Sequence, residues 1–156
     1  MSGVDFRERM IRFPATEVGT MRAFRELKVW SKAHALTLAV FRATRDIKRG
    51  EFPGLVSQLR RAAASIPTNI AEGCGHAAER EFARFLQMAL ASASELEYHL
   101  LLAFDLGMLP RDTYVQLDAA VTEVKRMLTS LIHQVRAREA AARSPKTRPA
   151  DLIPQT

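Results

Sequence analysis

The stretch Gly54-Leu-Val-Ser-Gln-Leu-Arg-Arg-Ala-Ala-Ala-Ser-Ile-Pro-Thr-Asn-Ile-Ala-Glu-Gly73 decides the fold. Leu55, Leu59, Ala62, Ile66 and Ile70 recur at spacings of three and four, the rhythm of one buried helix face. Arg60 and Arg61 fall off that stripe. Pro67 lies inside the pattern. It has no N–H for the carbonyl four residues back, and its ring crowds that carbonyl, so the helix is expected to kink or restart there. The carbonyl left without a donor belongs to Ala63, and Asn69 is the side chain expected to satisfy exposed backbone nearby. Glu72 is expected to pair with an arginine. Gly73 and Gly75 bracket the end of the segment.

Three more helical patterns flank this one. The first runs from about Glu26 to Lys48, with Val29, Ala33, Leu36, Val40, Ala43 and Ile47 on one face and Trp30 and Phe41 beside it. Lys48 and Arg49 suit the negative end of a helix dipole, and Gly50 stops the helix. The third runs from about Ala78 to Leu106, with Phe82, Phe85, Leu86, Ala89, Ala93, Leu96, Leu100 and Ala103 inward. Leu101 and Leu102 widen its apolar face, and Ala89, Ala91, Ser92 and Ala93 allow another helix to approach closely. Excess apolar width of this kind predicts a subunit interface. The fourth runs from about Arg111 to Ala142 on Tyr114, Leu117, Val121, Val124, Leu128, Leu131 and Val135. No strand pattern and no repeat appear. Four helices with short connectors predict an all-α fold, an antiparallel up-down-up-down four-helix bundle over residues 24–142. Residues 1–23 read as a flexible N-terminal extension, with Met21 an alternative start, and residues 143–156 as a disordered tail rich in proline.

The length of 156 residues suits one domain with a sizeable core. Cys74 is the one cysteine, which excludes an internal disulfide and a multi-cysteine zinc site. No apolar run approaches the ~18 residues of a membrane span, and the charged N-terminus lacks the apolar region of a signal peptide. A cytoplasmic protein away from membranes is expected. The net charge of +6 is unevenly spread. Residues 29–135 hold 12 basic against 11 acidic side chains, the first 28 residues 6 against 4, and the last 21 residues 5 against 2. Basic tails bind phosphates by releasing counterions, without sequence preference.

Several residue groups carry a family resemblance. Phe24, Leu27, Val29, Trp30, Ala33 and Leu36 open it. Gly54, Leu55 and the run from Ser57 to Ala63 continue it. Ser65, Ile66, Pro67, Asn69, Ile70, Ala71, Glu72, Gly73 and Gly75 form its most specific part. Glu81, Phe82, Phe85, Leu86, Ala89, Ser92, Glu95 and Leu96 follow. Over about residues 24–135 the chain resembles the four-helix-bundle proteins encoded in intervening sequences of bacterial 23S rRNA genes. It departs from them at Ala91, where glycine is frequent, and at His76, where arginine is. The second departure removes a permanent charge from any phosphate contact there. The resemblance implies a ring-shaped homopentamer. It also implies kinship with the accessory variability determinant of diversity-generating retroelements, which partners a reverse transcriptase and binds nucleic acid through a basic surface.

Read for chemistry, the residues point to binding rather than catalysis. Arg60 and Arg61 are about 100° apart on one helix, so both cannot face the core. Either they contact phosphate or a partner, or one pairs with an acid such as Glu72 or Glu95. Arg42, Arg45, Lys48 and Arg49 form a basic end to the first helix, with 42, 45 and 49 on one face. These six are the nucleic-acid-binding candidates, against the alternative of a solvated face. Pro67, Asn69, Glu72 and Gly73 are the structural signature. A di-metal bundle site needs paired Glu-x-x-His motifs; here Glu95 and His99 are four apart and no second pair exists. Arg126 and His133 match the loose spacing of all-helical HEPN ribonucleases and share a face with Glu123 and Ser130, a pattern that chance explains better. Cys74 reads as a small buried side chain. The expectation is a non-enzymatic homo-oligomeric scaffold with no cofactor, no catalytic residue and no metal. It binds RNA or DNA, beside a reverse transcriptase or another partner. The competing readings are a protein-only interaction module and an HEPN-like ribonuclease.

Overall fold

Helix α1 spans Lys28–Ala43, α2 Pro53–Cys74, α3 Glu79–Asp105 and α4 Arg111–Arg143, with a 3-10 turn at Phe24–Glu26 ahead of α1. The structure, a computed structural model, describes residues 22–47 and 52–144. Among the described residues there is no strand, and no helix is long and apolar enough to cross a membrane.

Most of the expected stripe is buried, while Ala43, Ile47, Leu55 and Tyr114 at its ends are only partly buried. Val29, Ala33, Leu36 and Val40 of α1 are buried with Leu59, Ala62, Ile66 and Ile70 of α2. Phe82, Leu86, Ala89, Ala93, Leu96 and Leu100 of α3 join them, as do Leu117, Val121, Val124, Leu128, Leu131 and Val135 of α4. Each large side chain moved from water to this core stabilises the fold by about 1.5–3 kcal/mol. Helix α2 packs on α1 and α3, and α4 on α3 and α1. Partners rise along one helix as they fall along the next. Arg61, Ser65 and Gly73 of α2 meet Glu95, Ser92 and Phe85 of α3. Phe104, Glu97 and Gln87 of α3 meet Tyr114, Lys125 and Arg136 of α4.

Two helix ends differ from expectation. Residues 24–26 form a separate turn, and Leu27 is extended, so α1 starts at Lys28. Its end comes at Ala43, not Lys48. There Thr44 turns its hydroxyl onto the Val40 carbonyl at 2.8 Å. Arg60 of α2 donates Nε to Thr44 Oγ1 at 2.9 Å and Nη2 to the Thr44 carbonyl at 3.1 Å. A guanidinium from a neighbouring helix thus satisfies the carbonyl end of α1, which every helix leaves without intrahelical donors. Lys48, Arg49 and Gly50 lie outside the described residues, as does Met21.

Pro67 neither ends α2 nor makes it restart, because one helix runs from residue 53 to residue 74. The Ala63 carbonyl receives the Thr37 hydroxyl of α1 at 2.8 Å. Asn69 satisfies a different group: its Nδ2 donates to the Ser65 carbonyl at 2.8 Å and to Ser65 Oγ at 3.0 Å. Ser65 in turn shares a 2.9 Å hydrogen bond with Ser92 of α3.

The N-terminal boundary expected at residue 23 separates Arg22 from the bundle, yet Arg22 is packed against it. Its N–H donates to the Cys74 carbonyl at 3.2 Å. Its guanidinium reaches the His76 carbonyl at 3.1 Å and Glu79 Oε1 at 2.6 Å, and it lies 4.3 Å over the Phe82 ring.

Candidate nucleic-acid interface

Arg42 and Arg45 stand exposed at the C-terminal end of α1. Neither side chain makes a hydrogen bond or ion pair among the described residues. Arg42 is in the last turn of α1, where a cation opposes the carbonyl dipoles. Lys48 and Arg49, expected to continue the strip, are outside the described residues.

Arg60 and Arg61 separate as the helix geometry requires. Arg60 is half-buried, engaged by Thr44 and 5.3 Å from the Phe41 ring centroid. Arg61 is 67% exposed at its side chain and pairs with Glu95 at 2.9 Å, while Gln58 Oε1 accepts from its Nη2 at 2.6 Å. Of the two acids expected to pair with Arg60 or Arg61, Glu95 is the one that does. Glu72 is exposed and forms no ion pair among the described residues, against expectation.

The remaining signature residues hold α2 to its neighbours. Gly73 is buried where α2 meets α3. A Cβ there would lie 2.8 Å from Phe85 Cβ and 3.1 Å from Phe82 Cδ2. His76, at the position that departs from the resemblance, stacks on Phe85 with centroids 5.0 Å apart. Cys74 is buried beside Arg22. Burial pushes its thiol up to about 11, with the Arg22 charge opposing. It is a packed side chain.

A groove that the arginine clusters do not anticipate lies between α3 and α4. It has a volume of about 430 Å³ and is lined by Glu97, Thr122, Lys125, Arg126, Thr129, Ser130 and His133. Its only sequence signal is the spacing of Arg126, Ser130 and His133. Glu123, grouped with them by sequence, turns away and pairs with Lys32 of α1 at 3.1 Å. Lys125 Nζ is bound to Glu97 Oε2 at 2.5 Å. Among the described residues, no three His, Cys, Asp or Glu side chains converge as a metal site would require.

The apolar surplus on α3 divides in two. Ala89 and Ala93 are buried and Ser92 bonds Ser65, so these small residues serve the contact with α2. Met88, Tyr98 and Leu101 remain 43%, 60% and 42% exposed.

Among the described residues, a helix that runs through an internal proline, a glycine at the α2–α3 contact and a frame of four α-helices define a class of small helical proteins. The chain belongs to the 23S rRNA-intervening sequence protein family, whose model matches residues 25–130. It is similar in structure to a protein with unknown function from the S23 ribosomal protein family of Bacteroides thetaiotaomicron. That match has a TM-score of 0.61 and 25% identity, and covers 67% of this chain and 97% of the other. Among curated proteins, none matches.

Proposed function

We propose that this protein is a non-enzymatic scaffold that binds RNA or DNA through basic surface residues. Four antiparallel helices in up-down-up-down order form its subunit, and the falling order of partners between neighbouring helices supports that topology. The observation that carries the binding reading is the pair Arg42 and Arg45, exposed and without partners among the described residues, in a chain that engages Arg22, Arg60 and Arg61 in its own contacts. Subunits associate through the outer face of α3, where Met88, Tyr98 and Leu101 leave apolar surface in water. The family resemblance extends this to a homopentamer in the cytoplasm that works beside a reverse transcriptase or another protein. A ring would repeat each basic patch and raise its avidity for one strand.

Fluorescence anisotropy of labelled single-stranded RNA and DNA with the purified chain tests the reading. Affinity falls steeply as salt rises, linear in the logarithms. Absence of binding at low salt, together with a protein partner retained after nuclease treatment, would replace this reading with a protein-only interaction module.

A further inference from the structure

We propose that the groove between α3 and α4 holds a phosphate of a nucleic-acid strand, with Arg126 as the charged anchor and Ser130 and His133 as flanking donors. The inference rests on the nucleic-acid reading above and locates a contact that the arginine clusters of α1 and α2 do not contain.

The three residues stand at positions i, i+4 and i+7 on one face of α4, spanning about 10 Å along the axis. All three line the groove. None has a side-chain hydrogen bond or ion pair among the described residues, so their donors are available to a ligand. Their neighbours are already engaged. Lys125 and Glu97 neutralise each other at 2.5 Å, and the Thr129 hydroxyl donates to the Lys125 carbonyl at 2.9 Å. Among the described residues, the Arg126 guanidinium is therefore the permanent charge in the groove that no ion pair offsets. A planar guanidinium offers paired N–H donors that match two phosphate oxygens, and an adjacent hydroxyl and imidazole N–H add further donors. The volume of about 430 Å³ falls within the ~300–1,000 Å³ of small-ligand sites, room for more than a single anion. A phosphodiester is common to RNA and DNA, so the strand type is for the experiment to decide.

The test is anisotropy with the full chain and short labelled single strands of RNA and of DNA of the same sequence. Arg126→Gln is expected to weaken binding by about tenfold, the loss of one charge-assisted hydrogen-bonded contact. It also reduces the salt slope by about 0.7, one single-strand phosphate. Arg126→Lys keeps the slope and recovers part of the affinity. Ser130→Ala weakens binding without altering the slope. An effect with one strand only supports the site and identifies its ligand. Unchanged affinity and slope in Arg126→Gln, with binding lost in Arg42→Gln/Arg45→Gln, overturns the groove and leaves the nucleic-acid reading standing. No binding by the wild type at low salt overturns both.

Discussion

Thr37 of α1 donates a 2.8 Å hydrogen bond to the Ala63 carbonyl of α2, the carbonyl that Pro67 deprives of its helical donor. The same hydroxyl lies 2.9 Å from the Ala33 carbonyl, four residues back on its own helix. Ala33 already has the Thr37 amide within α1, so the hydroxyl's proton matters most at Ala63. Proline thus converts an intrahelical bond into a bridge between two helices. Thr37→Val, which keeps the shape and removes the hydroxyl, should destabilise by about 1–3 kcal/mol through an unsatisfied carbonyl. In a Pro67→Ala background the amide returns and the loss should shrink. Urea unfolding of the four proteins gives the coupling; equal losses in both backgrounds would separate Thr37 from Pro67.

Gly73 makes a second contact of this kind. In an exposed helix interior, glycine to alanine stabilises by about 1 kcal/mol. Here the added methyl would sit 2.8 Å from Phe85 Cβ, closer than packed carbons approach. Gly73→Ala should reverse the usual sign and destabilise by about 1–3 kcal/mol, with strain passed into the α2–α3 contact. Thermal unfolding reads the sign directly.

Helix periodicity made most of this fold legible. The alternation of three and four along Val121, Val124, Leu128, Leu131 and Val135 reports burial whatever the partner helix is. Helix ends were less legible because their causes are distant in sequence. Ile47 keeps the α1 rhythm, yet the helix ends at Ala43, where Arg60, 16 residues on from Thr44, takes the Thr44 carbonyl. Nothing local announces that. The place of Arg22 is hidden for the same reason, as its partners are Cys74, His76 and Glu79. The site was legible only as a count of cations. Sequence ranks Arg60 beside Arg42, and geometry alone distinguishes a guanidinium engaged by a helix end from one facing water.

That distinction yields a prediction on stability. Arg60→Lys keeps the charge and loses the fork that spans Thr44 Oγ1 and the Thr44 carbonyl, and should destabilise by about 1 kcal/mol. Arg61→Lys, on the exposed face with Glu95, should stay within about 0.5 kcal/mol of wild type. Denaturant midpoints compare the two, and equal effects would remove the special role of Arg60.

Cys74 predicts two solution properties. Its thiol is buried and raised from 9.0 to about 11, chiefly by burial. Native protein at mildly alkaline pH should react slowly with iodoacetamide, and protein in urea quickly. The unfolded thiol ionises first, so its ionisation favours unfolding. The stabilisation present below the unfolded value is lost as pH rises from about 9 towards about 11. Cys74→Ala should lack that component of the alkaline decline when the pH dependence of the two proteins is compared.

The outer face of α3 predicts the state of assembly. Tyr98 and Leu101 are 60% and 42% exposed, three residues apart on one helix, with Met88 further along it at 43%. None belongs to the subunit's own core. Burial of two such side chains between subunits is worth about 3 kcal/mol, near a hundredfold in dissociation constant. Tyr98→Asp/Leu101→Asp should therefore lower the mass seen by light scattering while far-ultraviolet dichroism keeps its helical amplitude. A wild-type chain that scatters as a monomer would remove the proposed assembly, and a double variant with undiminished mass would move the interface off this face. Retained helicity with reduced mass would also supply a single-subunit form with which to test whether the nucleic-acid binding proposed above depends on repetition of the patch.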